Sequence, residues 1–433
     1  MAIEFERFLQ RVRAERGGFF DRDRSITVVR APGWVDLCGG VVAETGIHTL
    51  LWPTGGGVLV ALQPDPEPVI RIRVWQRTES IPCTALFLSS GPREYADAVS
   101  EIDRHRPPRS SWWGPTLMAW VALMREEFVR FGGGARLLLH PLAGESSAAT
   151  VIAAVAQALV TAYNVHLAPR ELAITCAEGL YHLDSRGLEL IGTLTTVCAP
   201  ANEVLVVQPH QALIGGNVHL PPGCAIWTIR VGDEPRQPPF RLRSALTLAE
   251  RLVAELVTAV DLPQGQEGAI LASLRLTDFI RYLRDRLPAH TSVTTGATTE
   301  QMTPSALTSF VLAEQQRSRL ILALLRAAAS RLQREEDVHL IGELLTQSHW
   351  EQAALGLIDP HAQALAERLV ASTILGVRQP VAATQATLVV LGRNDAEGDI
   401  QRITAEYQSL IGLPVRIVGG SLAGVSLAGA RQV

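Results

Sequence analysis

Residues 148–162, AATVIAAVAQALVTA, carry no charge and only three polar side chains, so a helix formed here is apolar nearly all round and must be buried on every side. Such a helix belongs at the centre of a domain. Just before it, Pro141, Gly144, Ser146 and Ser147 read as a turn, with Ser147 or Ser146 placed to cap the helix. Free backbone N–H groups and the positive end of the helix dipole make that junction a natural anion site. The turn also supplies an anion of its own, Glu145. Two readings follow: the loop cradles a phosphate, or it is an ordinary helix cap.

A chain of 433 residues with 47% hydrophobic content can bury a large core and suggests about two or three domains. Its net charge of −4 and 19% charged residues carry no nucleic-acid or membrane footprint. All 39 basic residues are arginines. The absence of lysine excludes a GxxxxGK phosphate loop, a Schiff-base enzyme and a protein kinase, each of which needs an ε-ammonium. Five scattered cysteines without a CxxC pair suggest neither a disulfide framework nor a zinc site. The N-terminus is charged and amphipathic rather than a signal peptide, and no apolar run is long enough to span a membrane. The expected compartment is the cytoplasm.

Hydrophobic periodicity predicts helices over 5–16, 94–104, 113–131 and 169–182, and strands over 25–30, 58–62, 69–75, 85–88, 135–140, 190–198, 203–208 and 225–231. Helices over 243–260, 267–287, 306–336, 359–370 and 400–411 follow, with strands over 386–391 and 415–418. The threonine-rich segment 291–303 reads as a loop. This order argues α+β with two lobes, residues 1–215 and 216–433.

The segment APGWVDLCGG, Ala31–Gly40, resembles the opening motif of the GHMP small-molecule kinases, close to APGRVNLIGEHTDYNGG, and galactokinase above all. The likeness continues at PLAGESSAA (family PxGxGLSSSAA), at CAEGLYHLDSRGLEL (AExxxxGxxxGIMDQ) and at GVRQPVAATQATLVVL (GxRMTGGGFGGCTVxL). Four motifs in family order at family spacing cover nearly the whole chain. The resemblance implies a ribosomal-protein-S5-domain-2-like N-terminal lobe and a helical and sheet C-terminal lobe. It further implies Mg-ATP on the glycine and serine loop, a sugar hydroxyl activated by the Asp of GIMDQ, and an Arg that stabilises the transferred phosphoryl group.

Carried over residue by residue, that Arg falls on Trp34 and the Asp of GIMDQ on Leu190. The sugar contacts fall on Gly40, Val41 and Ala43, with Asp36 beside them, and on Phe240, with the neighbouring Arg243 kept. The cofactor loop becomes Gly144, Glu145, Ser146 and Ser147, and the third glycine motif becomes Pro380–Gln385. No catalytic position is intact. Leucine cannot accept a proton, and losing one positioned charge costs roughly a hundred- to a thousand-fold in rate. Glu189 or Asp184 could act as base only in a shifted register, which turns the side chain away. Near a triphosphate Glu145 repels, unless Mg²⁺ bridges Glu145 and Ser146 to the phosphates. As a first-turn acid it simply satisfies the dipole, and the structural role is the expectation here.

Ser146 and Ser147 read as caps rather than nucleophiles, and the eleven histidines form no metal-ligand spacing. Trp112 and Trp113 read as core rather than a sugar platform, and Val418–Gly424, VGGSLAG, as a strand turn without a following helix. The expectation is a pseudokinase: a binding or regulatory protein for an unknown small molecule or protein partner, without cofactor and without nucleic-acid or membrane partners. The alternative is an ATP- and Mg-dependent kinase of a sugar-like alcohol with an atypical site. A third class is a structural partner subunit.

Overall fold

A computed structural model describes residues 2–40, 43, 47–108, 110–142, 147–183, 188–209, 212–232, 240–262, 270–295, 298–329, 335–380 and 386–433, and structural statements below concern these residues. After α1 (Ala2–Ala14), a long hairpin of β1 (Thr27–Cys38) and β2 (Thr49–Asp65) founds the first lobe. Along β2, Val58, Val60 and Leu62 join one core and Leu59 and Ala61 another, as the period of two in a strand requires. Both faces of the sheet are therefore covered.

The hairpin β3 (Val69–Val74) and β4 (Arg77–Pro82) and the short pair β5 (Phe87–Leu88) and β6 (Gly91–Pro92) follow. Then come α2 (Tyr95–Arg104), α3 (Trp113–Glu126), β7 (Gly134–Pro141), α4 (Ala148–Ala162), α5 (Pro169–Leu183), α6 (Glu189–Cys198), β8 (Glu203–Gln208) and β9 (Leu213–His219). Every residue from Ala149 to Ala156 is buried, as the uncharged sequence of α4 demands. The helix lies against β1 and β2, with α3, α5 and α6 around it. On the opposite face α1 contributes Phe8, Leu9 and Val12 to a core with Val28, Leu59 and Leu138.

The second lobe starts at β10 (Cys224–Val231) and continues through α7 (Phe240–Ala259), α8 (Ile270–Ser273), α9 (Leu276–Asp278), β11 (Thr291–Thr295), β12 (Thr298–Met302), α10 (Pro304–Ala329), α11 (Glu335–Ala354) and α12 (Pro360–Val370). It ends with β13 (Gly376–Arg378), β14 (Ala386–Arg393), α13 (Glu397–Ile411), β15 (Val415–Gly419), α14 (Val425–Ala428) and β16 (Ala430–Gln432). Strands β13, β14, β10 and β15, in that order, make a sheet backed by α12 and α13. The larger sheet runs β16, β1, β2, β7, β3, β4, with β8 and β9 attached beyond the start of β2. The last strand thus returns to the first lobe, and position 215 falls inside β9.

Four local expectations change. Residues 190–198 were expected as a strand but form α6, where Thr193 and Thr195 return their hydroxyls to the carbonyls of Glu189 and Ile191, so the β-branched run is satisfied inside a helix. Residues 270–287, the described part of the helix expected over 267–287, do not form one helix. Arg275 is extended (φ −80°, ψ 139°), and the broken chain sends Leu271, Phe279 and Leu283 into one core. The threonine-rich segment is the hairpin of β11 and β12, in keeping with the strand preference of β-branched residues. The VGGSLAG stretch is followed by a helix after all, the single turn α14. Among the described residues no helix is long and apolar enough to cross a membrane.

Where α11 meets β13 the backbones touch, for a Cβ on Gly376 would stand 2.2 Å from the Gly342 carbonyl oxygen and one on Gly342 only 2.0 Å from that of Leu375. Gly376→Ala is expected to cost about 3 kcal/mol. The check is a lower denaturant midpoint at unchanged slope.

Candidate functional site

Strand β1 carries Trp34 to the N-terminus of α4. There its indole N–H donates to Ser147 Oγ at 2.9 Å. Ser147 caps the helix by accepting the Thr150 N–H at 3.3 Å, and its Oγ lies 3.1 Å from Thr150 Oγ1. Ser147 Oγ therefore already accepts two N–H groups, one from the indole and one from the first turn of the helix. The ring itself lies on α6, where a Cβ on Gly192 would come within 2.7 Å of it. Trp34 is only 7% exposed, so the indole is a wedge between the start of α4 and the start of α6. Leu190, in the first turn of α6, is half-buried against the same core and offers no proton acceptor.

Two residues further along β1, Asp36 enters a buried ionic network. Arg378, on β13, donates from Nη1 to Asp36 Oδ2 at 2.7 Å and to the Asp36 carbonyl at 3.1 Å, from Nη2 to Glu314 Oε1 at 3.0 Å, and from Nε to Ser348 Oγ at 3.0 Å. Glu314, on α10, also accepts from the Gly39 N–H, the Ser348 hydroxyl and Arg317 Nε. Arg317 forks onto Glu351 at 2.9 and 2.7 Å. Asp36, Glu314 and Arg378 are wholly buried. The network therefore ties the first lobe to α10, α11 and β13 of the second.

The electrostatics follow from this packing. Burial pushes the Glu314 carboxyl up, but the guanidiniums of Arg378 and Arg317, with the Gly39 N–H and the Ser348 hydroxyl, overcome it and hold the group at about 2. His349, next to Ser348, is fully buried and accepts the Gln379 N–H on Nδ1 at 3.1 Å. Burial, reinforced by the Arg378 charge, lowers it to about 4 and keeps it neutral.

The remaining sequence-predicted positions divide sharply. Gly40 is buried over Asp36, and a Cβ there would stand 2.3 Å from the Asp36 Cγ. Ala43 is buried in the same core as Trp34. Both occupy the interior, where the family resemblance expects sugar contacts. Gly144, Glu145 and Ser146, with Val41, Asp184 and positions 381–385, lie outside the described residues. Phe240 and Arg243 open α7, and their side chains lie outside the description as well. Sequence reasoning missed Glu314, Arg317, Ser348 and Arg378. The available signals were a glutamate inside the apolar run SFVLAEQ and the arginine kept from the family's GxR.

Removing one member of the network leaves its partners buried and uncompensated, so Arg378→Met is expected to cost about 3–5 kcal/mol, read by denaturant unfolding. Gly40→Glu, which restores the family carboxylate, is expected to destabilise through the clash with Asp36 and a second negative charge beside it. Acid also tests the site. His349 takes its proton at 6.5 in the unfolded chain and at about 4 in the folded one, so stability falls as pH drops across that window, by about 3 kcal/mol in all. Glu314 adds a further loss from its ordinary 4.5 down toward 2. In stability measured against pH, His349→Gln is expected to flatten the upper segment.

Comparison with known proteins places this geometry. No family model matches the chain. A curated relative, L-arabinokinase of Arabidopsis thaliana, is 25% identical over 254 residues, 51% of this chain and 24% of that protein, so the chain spans about a quarter of that relative's length. Among solved structures, Lactococcus lactis galactokinase complexed with galactose superposes with a TM-score of 0.74 at 12% identity, covering 98% of this chain and all of that one. Methanococcus jannaschii mevalonate kinase covers 93% of this chain and all of its own, with a TM-score of 0.53 at 12% identity. Homoserine kinase of Cytophaga hutchinsonii covers 95% of this chain and 98% of its own, at the same TM-score and identity. The chain has the two-lobed α+β fold of the GHMP small-molecule kinases, in its galactokinase-like form.

Proposed function

We propose that this chain is a non-catalytic member of the galactokinase-like fold, a pseudokinase that binds a small molecule or a protein partner in a regulatory role. The observation that carries the reading is Trp34. At the position the resemblance assigns to a phosphoryl-stabilising arginine stands a neutral indole, and it consumes the hydroxyl of Ser147 at the helix N-terminus. Phosphoryl transfer rests almost entirely on positioned charge. Leu190 supports the reading at the base position, as do Gly40 and Ala43, which belong to the interior. Asp36, the one carboxylate of the first motif that the structure describes, is committed to Arg378. The reading places the protein in the cytoplasm, away from nucleic acid and membranes.

A second reading, an active ATP- and Mg-dependent kinase of a sugar-like alcohol, is favoured by the likeness to L-arabinokinase. Thermal unfolding with ATP, ADP and a sugar panel, with and without Mg²⁺, separates the two. A ligand at 100 times its Kd adds about 2.7 kcal/mol. The expected result is no Mg²⁺-dependent gain from millimolar ATP. A Mg²⁺-dependent shift together with sugar-dependent ADP release would overturn the pseudokinase reading.

A further inference from the structure

The exposed face of α11, opposite the buried Ser348 and His349, forms one wall of a groove of about 280 Å³, and the end of α12 with the approach to β13 forms the other. Glu343, Gln347 and Trp350 stand at spacings of four and seven, which put all three on one side of the helix. Val370 and Ile374 face them across the groove. Trp350 is 36% exposed and Val370 42%, so an indole and an aliphatic side chain are left to solvent together.

We propose that this groove is a subsite for a neutral saccharide ring. The polar groups decide the class. Among the described residues, Glu343 and Gln347 make no hydrogen bond or ion pair, whereas Thr346 beside them is spent, donating to the Gly342 carbonyl and accepting the Val377 N–H. The Glu343 carboxylate offers acceptors and disfavours an anion. The Gln347 carboxamide offers a donor as well as an acceptor, and the donor has no use for a cation. Hydroxyl groups, which both donate and accept, match the pair. The C–H face of a sugar ring matches the indole and Val370, giving the ligand one apolar side and one polar edge. The volume lies just below the roughly 300–1,000 Å³ of pockets for drug-sized ligands, on the scale of a single ring.

The site stands on residues separate from Trp34, Ser147 and Leu190, so its fate does not depend on whether phosphoryl transfer occurs. The test is calorimetric titration of the full chain with D-galactose, L-arabinose and D-glucose, alongside agmatine as an organic cation. Trp350→Ala and Gln347→Ala, both exposed positions, are compared with Trp350→Phe. The expected result is binding of at least one sugar at about millimolar Kd, weakened tenfold or more by Trp350→Ala and by Gln347→Ala and largely kept by Trp350→Phe. Hydrogen exchange should slow over 343–350 and 370–376 when the sugar is present. The proposal is overturned if no sugar binds, if binding survives Trp350→Ala unchanged, which assigns it to another site, or if only agmatine binds.

Discussion

The guanidinium of Arg378, buried between Asp36 and Glu314, is the constraint on which the arrangement of the two lobes depends. Taking three charges out of water costs several kcal/mol for each, and only complete pairing with good geometry returns it. Here every nitrogen of the Arg378 guanidinium has an acceptor, and the acceptors come from β1, α10 and α11. A small displacement of one lobe would strand charges in the interior. The joint is therefore a matter of register rather than of adhesion, with the apolar contacts of Val35, Leu37, Ile321 and Leu345 supplying the area around it.

Seen beside that joint, Trp34 and Asp36 are two uses of one strand. β1 delivers both to the middle of the molecule two residues apart, and on this strand neighbouring side chains leave on opposite faces. Both therefore face the same way, one toward α4 and α6 and the other toward Arg378. Neither is left free. Polar capacity at this junction goes to holding the protein together.

Much of this could be read from the chain. The uncharged run of α4 announced a buried helix, and the four motifs in order announced the two-lobed fold. The sequence was weakest where tertiary packing overrules local preference. The run TLTTV in α6 has the β-branched character of a strand, and only the packing of Gly192 against Trp34 and the back-bonded threonines make it a helix. Asp36 read as a remnant of a sugar site because its partner, Arg378, lies hundreds of positions away, and no local pattern pairs residues at that distance. Position 34 was legible as a substitution, but its bond to Ser147 was not.

The strand β16 has a consequence for the order in which the molecule can assemble. It pairs with Thr27–Val29 and covers the outer edge of β1, while Ser426 and Gly424 attach to the end of α6. During synthesis the first lobe therefore emerges with an unpaired strand edge, and it stays so until the whole second lobe has followed. An open edge of that kind is a template for pairing with another chain. The lobe made first is the lobe finished last, and the two must fold as partners in time as well as in space.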